Sequence, residues 1–254
     1  MPEGDAVWRT ARRLHDALAG QPLVGVDLRW SRLPAVELHG LRTLEVRPRG
    51  KHILHRVESG WTIHSHLRMD GSWRTMPTAK VTPRTARHPD IRAIVATAEQ
   101  AAIGWRLGML DVVRTRDEPS LVGHLGPDLL SDDWDTGEAA RRLRSTGATP
   151  IGAALLDQRN LAGLGTIWTS EPLHECGIDP WRPVEEIDEP TLRGLLEVAH
   201  RMLGDSVADR RHRMQVYGRR GRPCPRCGTP LVRKEIGAAP NDRLVTYCPG
   251  CQRN

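Results

Sequence analysis

Between residues 5 and 19 the apolar positions Val7, Ala11, Leu14 and Leu18 recur every three or four residues among charged ones, which predicts an amphipathic helix. Gly4-Asp5 can cap its start and Gly20 can end it. From Leu23 to about Thr115 the pattern shortens to runs of β-branched and apolar residues broken by Gly, Pro and polar turns. It predicts strands over 23–30, 41–47, 51–57, 61–67, 72–76, 91–97, 101–106 and 111–115, with Glu58-Ser59-Gly60 as a hairpin turn. Eight short strands of this kind predict an antiparallel β-sandwich. The stretch 77–90, with Pro77, Pro83 and Pro89, is expected as a basic loop. Residues 119–135 are expected as a linker, after which helical spacing returns over 136–145, 150–158, 166–176 and 189–203. Near the end, 230–236 and 243–247 can pair as a hairpin around a turn at 237–242. The expected fold is therefore α+β and multidomain: a helix plus eight-stranded antiparallel sandwich, a helical domain, and a small β-hairpin module.

Composition changes the picture in two ways. The formal net charge of +6 on 254 residues favours a polyanionic partner. Lys51, Lys80 and Lys234 are the three lysines of the chain, so a lysine at a special position carries information. The N-terminus is polar and charged and no apolar run approaches the length of a membrane span, from which a soluble cytoplasmic protein is expected. Five cysteines are too few for a secreted disulfide scaffold. Cys176 stands apart and reads as a small buried apolar residue.

Cys224-x2-Cys227 and Cys248-x2-Cys251 lie twenty residues apart, the arrangement of two knuckles closing a tetrahedral four-cysteine site. One structural Zn²⁺ is expected, with no ligand position left for a reacting water. Two pairs flanked by hairpin-like runs argue against a redox motif. At the other end stands Met1-Pro2-Glu3. If Met1 is removed, Pro2 becomes a secondary amine titrating near roughly pH 8, with Glu3 beside it as acid or base. Otherwise Met-Pro is a common start and Glu3 merely favours a helix N-terminus. Two loops, one holding Arg68 and Met69 and one holding Arg106 and Leu107, pair an arginine with a side chain able to wedge into a base stack; buried packing is the plain alternative. The turn Leu161-Ala162-Gly163-Leu164-Gly165 either packs two helices or presents backbone amides to a phosphate. The segment 210–222 holds six arginines and no acid, as a solvated linker or a phosphate contact. Arg243, beside the hairpin turn, can grip a phosphate bidentately.

Taken together, Pro2-Glu3, Arg49-Gly50-Lys51, His64-x-His66-Leu67-x-Met69-x-Gly71-Ser72, His124-Leu125-Gly126-Pro127-Asp128, Leu156-Asp157-Gln158, Ala162-Gly163-Leu164-Gly165, Val216-Tyr217-Gly218-Arg219 and the four cysteines resemble the formamidopyrimidine-DNA glycosylase and endonuclease VIII family over essentially the whole chain. The resemblance implies a catalytic sandwich domain at 1–118, a linker at 119–135, a helix-two-turn-helix DNA-binding domain at 136–214 and a zinc-finger hairpin at 215–254. It implies a bifunctional glycosylase and abasic-site lyase of base-excision repair. By that resemblance, Pro2 is expected to attack C1′ of a flipped nucleotide to give a Schiff base, with Glu3 as the acid and base and Lys51 and Arg243 gripping phosphates at the lesion. β- and δ-elimination then cut the strand, with no nucleotide cofactor or catalytic metal. Arg68, Met69, Arg106, Leu107, Gly165, Thr166 and Arg219 are the implied DNA contacts. The implied partner is damaged or abasic double-stranded DNA, bound by a monomer in the bacterial cytoplasm and on the nucleoid. Trp73 and the ending Cys-Pro-Gly-Cys-Gln resemble the endonuclease VIII side, especially its actinobacterial forms, and favour oxidised pyrimidines. Thr166 stands where the family usually carries Asn, so a non-catalytic paralogue that binds damaged DNA is the alternative.

Overall fold

A computed structural model describes residues 2–208, 213–239 and 242–253. They fall into two units, one of Pro2 and 6–124 and the other of 3–5 and the described residues from 125 onward.

The first unit is a sandwich of two four-stranded antiparallel sheets fronted by helix α1 (Gly4–Leu18), most of which belongs to it. The strands are β1 (Gly25–Leu28), β2 (Thr43–Arg49), β3 (His52–Val57), β4 (Trp61–His66), β5 (Ser72–Pro77), β6 (Ile91–Ala96), β7 (Gln100–Trp105) and β8 (Met109–Arg114). One sheet runs β1-β6-β7-β5 and the other β2-β3-β4-β8. Val7, Ala11, Leu14 and Leu18, the stripe read from the sequence, are all buried against Val46, Ile53, Ile63, Val95 and Leu110. The turn after β3 takes positive φ at Ser59 and Gly60, as a tight hairpin connection requires. Apart from Pro77, which ends β5, the basic stretch 77–90 is not a strand and holds a one-turn helix, α2 (Pro83–Ala86), capped by Thr82 Oγ1 accepting from the Thr85 amide at 3.1 Å. One expectation needs correcting. Lys51 does not lie on a strand: Arg49 pairs with His52, so Gly50-Lys51 is the two-residue turn between β2 and β3, with Gly50 at φ 57°.

The second unit packs α4 (Thr136–Arg144), α5 (Ile151–Leu156), α6 (Thr166–Cys176) and α7 (Glu189–Val207) around Leu143, Leu155, Trp168, Leu173, Leu195 and Leu203, with a hairpin of β9 (Val232–Ile236) and β10 (Arg243–Tyr247). Helix α7 runs four residues beyond its predicted end at 203, to Val207, and so carries Ser206, whose Oγ donates to Asp5 Oδ2. The stretch 119–135 begins with the short α3 (Pro119–Val122) and continues into this unit, where Leu129 is fully buried and Ala162 N donates to Pro127 O at 2.9 Å. The predicted hairpin turn at 237–242 and the basic segment 210–222 each lie partly outside the described residues, at 240–241 and 210–212. Among the described residues no helix is long and apolar enough to cross a membrane.

Candidate active site and metal centre

Helices α4 and α7 are capped by the residue before them: Asp135 accepts from the amides of Gly137 and Glu138, and Asp188 from that of Thr191. Helix α6 is preceded by Gly165, which has no side chain to do this. Its open amides are met instead by Glu3, 162 residues away in sequence. Glu3 Oε2 accepts from Gly165 N at 3.0 Å and Trp168 N at 3.1 Å, and Oε1 accepts from Ile167 N at 2.9 Å. Three amides and the positive end of a helix dipole thus hold one buried carboxylate, an arrangement that favours negative charge there.

The adjoining residues are fixed as firmly. Gly4 N donates to Gly163 O at 2.9 Å, and Ser206 Oγ donates to Asp5 Oδ2 at 2.8 Å. Two glycines are required by this closeness. A Cβ on Gly165 would strike the Glu3 carboxylate, and one on Gly4 would lie 3.0 Å from Gly163 Cα. Gln158 shapes the turn itself, donating to Leu156 O and Leu164 O at 2.9 Å and accepting from Gly163 N at 3.1 Å. Of the two readings of the glycine turn, the structure therefore modifies the phosphate one: the amides of Gly165, Ile167 and Trp168 are spent on Glu3. Thr166, half-buried, opens the helix. Pro2, also half-buried, precedes this anchored stretch.

The sandwich brings a second set of predicted residues to one of its ends. Lys51 sits in the β2–β3 turn, Arg68 and Met69 in the β4–β5 connection, and Arg106 and Leu107 in the β7–β8 connection. The pairings of His52 with His66, His66 with Met109, and Ser72 with Trp105 place all three connections at the same end. Arg68 and Arg106 are two of four non-glycine residues at positive φ among the described residues, at 52° and 45°. Met69 is 63 % exposed, free of the core as a wedge must be. Leu107 is not. It is buried against the sandwich core, close enough to Gly104 that a Cβ there would lie 2.7 Å from its Cδ1, so its expected role as a DNA wedge is replaced by packing. Arg106 donates twice to Asp90 Oδ2, at 2.9 and 2.6 Å.

Helix α6 also organises the rest of the second unit. Glu171, buried in its middle, accepts from the amides of Gln215, Val216 and Tyr217 at 2.8–3.0 Å, which anchors the middle of the arginine-rich segment. Arg219 in that segment donates to Gln215 O and Pro223 O. Ser170 Oγ accepts from Thr246 N at 3.2 Å, and Gln252 Nε2 donates to Ile178 O at 2.8 Å, docking the hairpin. Arg243 opens β10 and is exposed.

The sulfurs of Cys224, Cys227, Cys248 and Cys251 lie within 4.8 Å of one another and can hold one metal ion. Cys224 and Cys251 are 3.8 Å apart and Cys227 and Cys248 3.5 Å. Tetrahedral coordination with metal–sulfur bonds of about 2.3 Å places sulfurs about 3.8 Å apart, so the set fits. Hydrogen bonding with Thr229 pulls the Cys227 thiol down to about 6, while sharing a proton with Cys227 pushes Cys251 up to about 12. A cation resolves that conflict by taking all four as thiolates. His174 Nε2 lies 3.4 Å from Cys224 Sγ, a second link from α6 to the cluster that the sequence did not reveal.

The family model described as the formamidopyrimidine-DNA glycosylase N-terminal domain matches residues 1–106, and that described as the formamidopyrimidine-DNA glycosylase H2TH domain matches 125–217. The chain belongs to the formamidopyrimidine-DNA glycosylase and endonuclease VIII family. It is an enzyme of that family of DNA-repair glycosylases and abasic-site lyases. It is 46 % identical to the probable endonuclease 8 2 of Streptomyces coelicolor, over 99 % of this chain and 94 % of that one. It is 40 % identical to the DNA-(apurinic or apyrimidinic site) lyase Nei2 of Mycolicibacterium smegmatis, over 99 % of each. Among solved structures, the MutM (Fpg) protein of Thermus thermophilus is 31 % identical with a TM-score of 0.81, covering 99 % of this chain and 98 % of that one. Lactococcus lactis Fpg, solved with DNA containing N7-benzyl-Fapy-dG, shares the fold at a TM-score of 0.83 over the whole of both chains, with 24 % identity.

Proposed function

We propose that the protein excises oxidised pyrimidines from double-stranded DNA and cuts the strand at the abasic site by β,δ-elimination, acting as a monomer. Once Met1 is removed, the Pro2 amine attacks C1′ of the flipped nucleotide. The glycosidic bond breaks, the base leaves, and an iminium joins Pro2 to the opened sugar. That iminium acidifies the neighbouring carbon, so loss of a proton expels the phosphate on one side and then on the other. Glu3 carries protons as acid and base. The observation that carries this reading is the anchoring of residues 3–5. Chain ends usually fray, yet here Glu3, Gly4 and Asp5 are each held by a hydrogen bond, which supports Pro2 as a positioned nucleophile.

In this reading residues 1–118 form the catalytic sandwich, 119–135 the connection, 136–214 the helix-two-turn-helix domain and 215–254 the zinc hairpin. Lys51 and Arg243 grip phosphates at the lesion, Met69 fills the gap left by the base, and Arg68, Arg106, Gly165, Thr166 and Arg219 line the DNA. The ion at the four cysteines is Zn²⁺, a soft-ligand tetrahedral site with a structural role. Supporting the pyrimidine preference, α7 ends at Val207 and Glu171 already holds Gln215, which leaves a short connection for any lesion-covering loop. The test is borohydride trapping on abasic-site DNA. A covalent adduct is expected from the wild-type protein lacking Met1, with a sharply lower yield from Pro2→Gly; no wild-type adduct would refute the reading.

A further inference from the structure

The sandwich holds a chain of hydrogen bonds that the mechanism above does not use. Strand register sets His52 opposite His66, Leu54 opposite His64, and His64 opposite Asp111, so these side chains share the face of the sheet turned away from Ile53, Ile63 and Leu110. His64 Nδ1 lies 2.9 Å from Asp111 Oδ2, and His64 Nε2 lies 2.8 Å from His52 Nδ1. His52 also meets His66 edge-on, ring centroids 4.8 Å apart, with His124 at 6.4 Å.

An ionised carboxylate only accepts, so the His64 proton sits on Nδ1. His64 Nε2 is then an acceptor, the His52 proton sits on Nδ1, and His52 Nε2 carries the lone pair. His66 is set the other way, because its Nδ1 accepts from Arg68 N at 2.9 Å. Its proton is on Nε2. This assignment needs neutral rings, and the surroundings keep them so: burial, joined by neighbouring His66 and His64 and the Lys51 ammonium, brings His52 down to about 3, and burial brings His66 down to about 4. Lys51 directly precedes His52 in the two-residue turn between β2 and β3, so the chain itself fixes its backbone next to that ring. The other charges facing the group are Arg68, toward His66, and Asp111 and Glu118, toward His64.

We propose that Asp111 and His64 are positioning residues: they lock His52 as a hydrogen-bond acceptor at the β2–β3 turn and thereby orient the Lys51 ammonium toward the DNA phosphate. The proposal rests on the role given to Lys51 above. It is tested on the full-length protein with Asp111→Ala, a safe substitution because that side chain is 39 % exposed, and with Asp111→Glu as the conservative partner. Long-range ¹H–¹⁵N spectra of the wild type are expected to show neutral His64 and His52, both protonated on Nδ1. Asp111→Ala is expected to abolish that preference and to shift the Lys51 Nζ resonance, leaving those of Lys80 and Lys234 in place, while Asp111→Glu restores both. Single-turnover cleavage of abasic-site DNA should slow roughly tenfold in Asp111→Ala and should slow no further when the change is made on Lys51→Ala. A wild-type His52 protonated on Nε2, an unmoved Lys51 resonance, or the same rate loss on the Lys51→Ala background would each overturn the relay. The spectra need no activity. Wild-type protein that shows the expected spectra but leaves abasic DNA uncut would refute the functional reading and spare the relay.

Discussion

The two units bury polar groups by opposite means. In the helical unit two buried carboxylates, Glu3 and Glu171, each lie under three backbone amides. In the sandwich unit the imidazoles of His52, His55, His64 and His66 are each pushed below their ordinary range, with burial the largest cause, beside the buried carboxylate of Glu118, which is held by the Arg56 guanidinium. The difference follows from secondary structure. A helix end or an irregular segment has amide donors to spare, and a carboxylate satisfies several at once. Inside a sheet those donors are already paired, so a buried side chain finds its partners among other side chains, as His64 does with Asp111 and Glu118 with Arg56. The helical unit can therefore hold a fixed negative charge at a chain terminus, whereas the sandwich builds hydrogen-bond chains of defined direction.

The largest effect that would break this contrast is at Glu3. Glu3→Gln keeps one acceptor oxygen but turns an N–H₂ toward donors. It also removes the charge from the helix N-terminus. Unfolding by urea should show a loss of about 2–3 kcal/mol. Single-turnover glycosylase activity should fall by at least about a hundredfold. A fully stable Glu3→Gln protein would mean that the three amides do not depend on the charge.

Much of this was legible beforehand, for identifiable reasons. Each strand and long helix announced itself through the spacing of residues such as Val7, Ala11, Leu14 and Leu18, and the cysteine pairs through their own spacing. Lys51 was placed on a strand because Arg49-Gly50-Lys51-His52 contains no strong turn dipeptide, yet the register of Arg49 with His52 makes the turn. Leu107 reads as a wedge because it stands beside an arginine in a loop, but only the packing around Gly104 and Trp73 shows which way the leucine turns. The Asp111–His64–His52 chain spans three strands, so nothing short of strand register reveals it. Glu3 as the cap of α6 joins residues 162 apart; a hint was present in Gly165, a helix start with no capping side chain of its own.

Glu171 sharpens the same comparison from within the helical unit. The bonds it accepts from these three amides match those of Glu3 in length, but the donors at 215–217 belong to an irregular segment and bring no helix dipole. Glu171→Gln should therefore cost less than Glu3→Gln by roughly 0.5–1 kcal/mol, the contribution of a helix terminus. Hydrogen exchange should show the loss at the amides of Gln215, Val216 and Tyr217 first. Equal costs for the two substitutions would remove the dipole from the account of Glu3.

The effect in the sandwich appears chiefly as a pH dependence. His55 is buried, shares a 2.8 Å hydrogen bond with Thr43 Oγ1, and is held down to about 4 by desolvation. In the unfolded chain it titrates near roughly 6.5. Between those values the unfolded state binds a proton that the folded state refuses, so stability is complete above the unfolded value and is lost as pH falls toward 4. The slope from this residue alone is about 1.4 kcal/mol per pH unit. Urea unfolding of the wild type between pH 6 and pH 4.5 should show it superimposed on the carboxylate contributions. His55→Gln, which keeps a polar group for Thr43, should flatten the curve by about one proton in that window while lowering stability at pH 7. An unchanged slope would show that His55 protonates in the folded sandwich as easily as in the open chain, and the contrast between amide-held carboxylates and neutral imidazoles would then fail at His55.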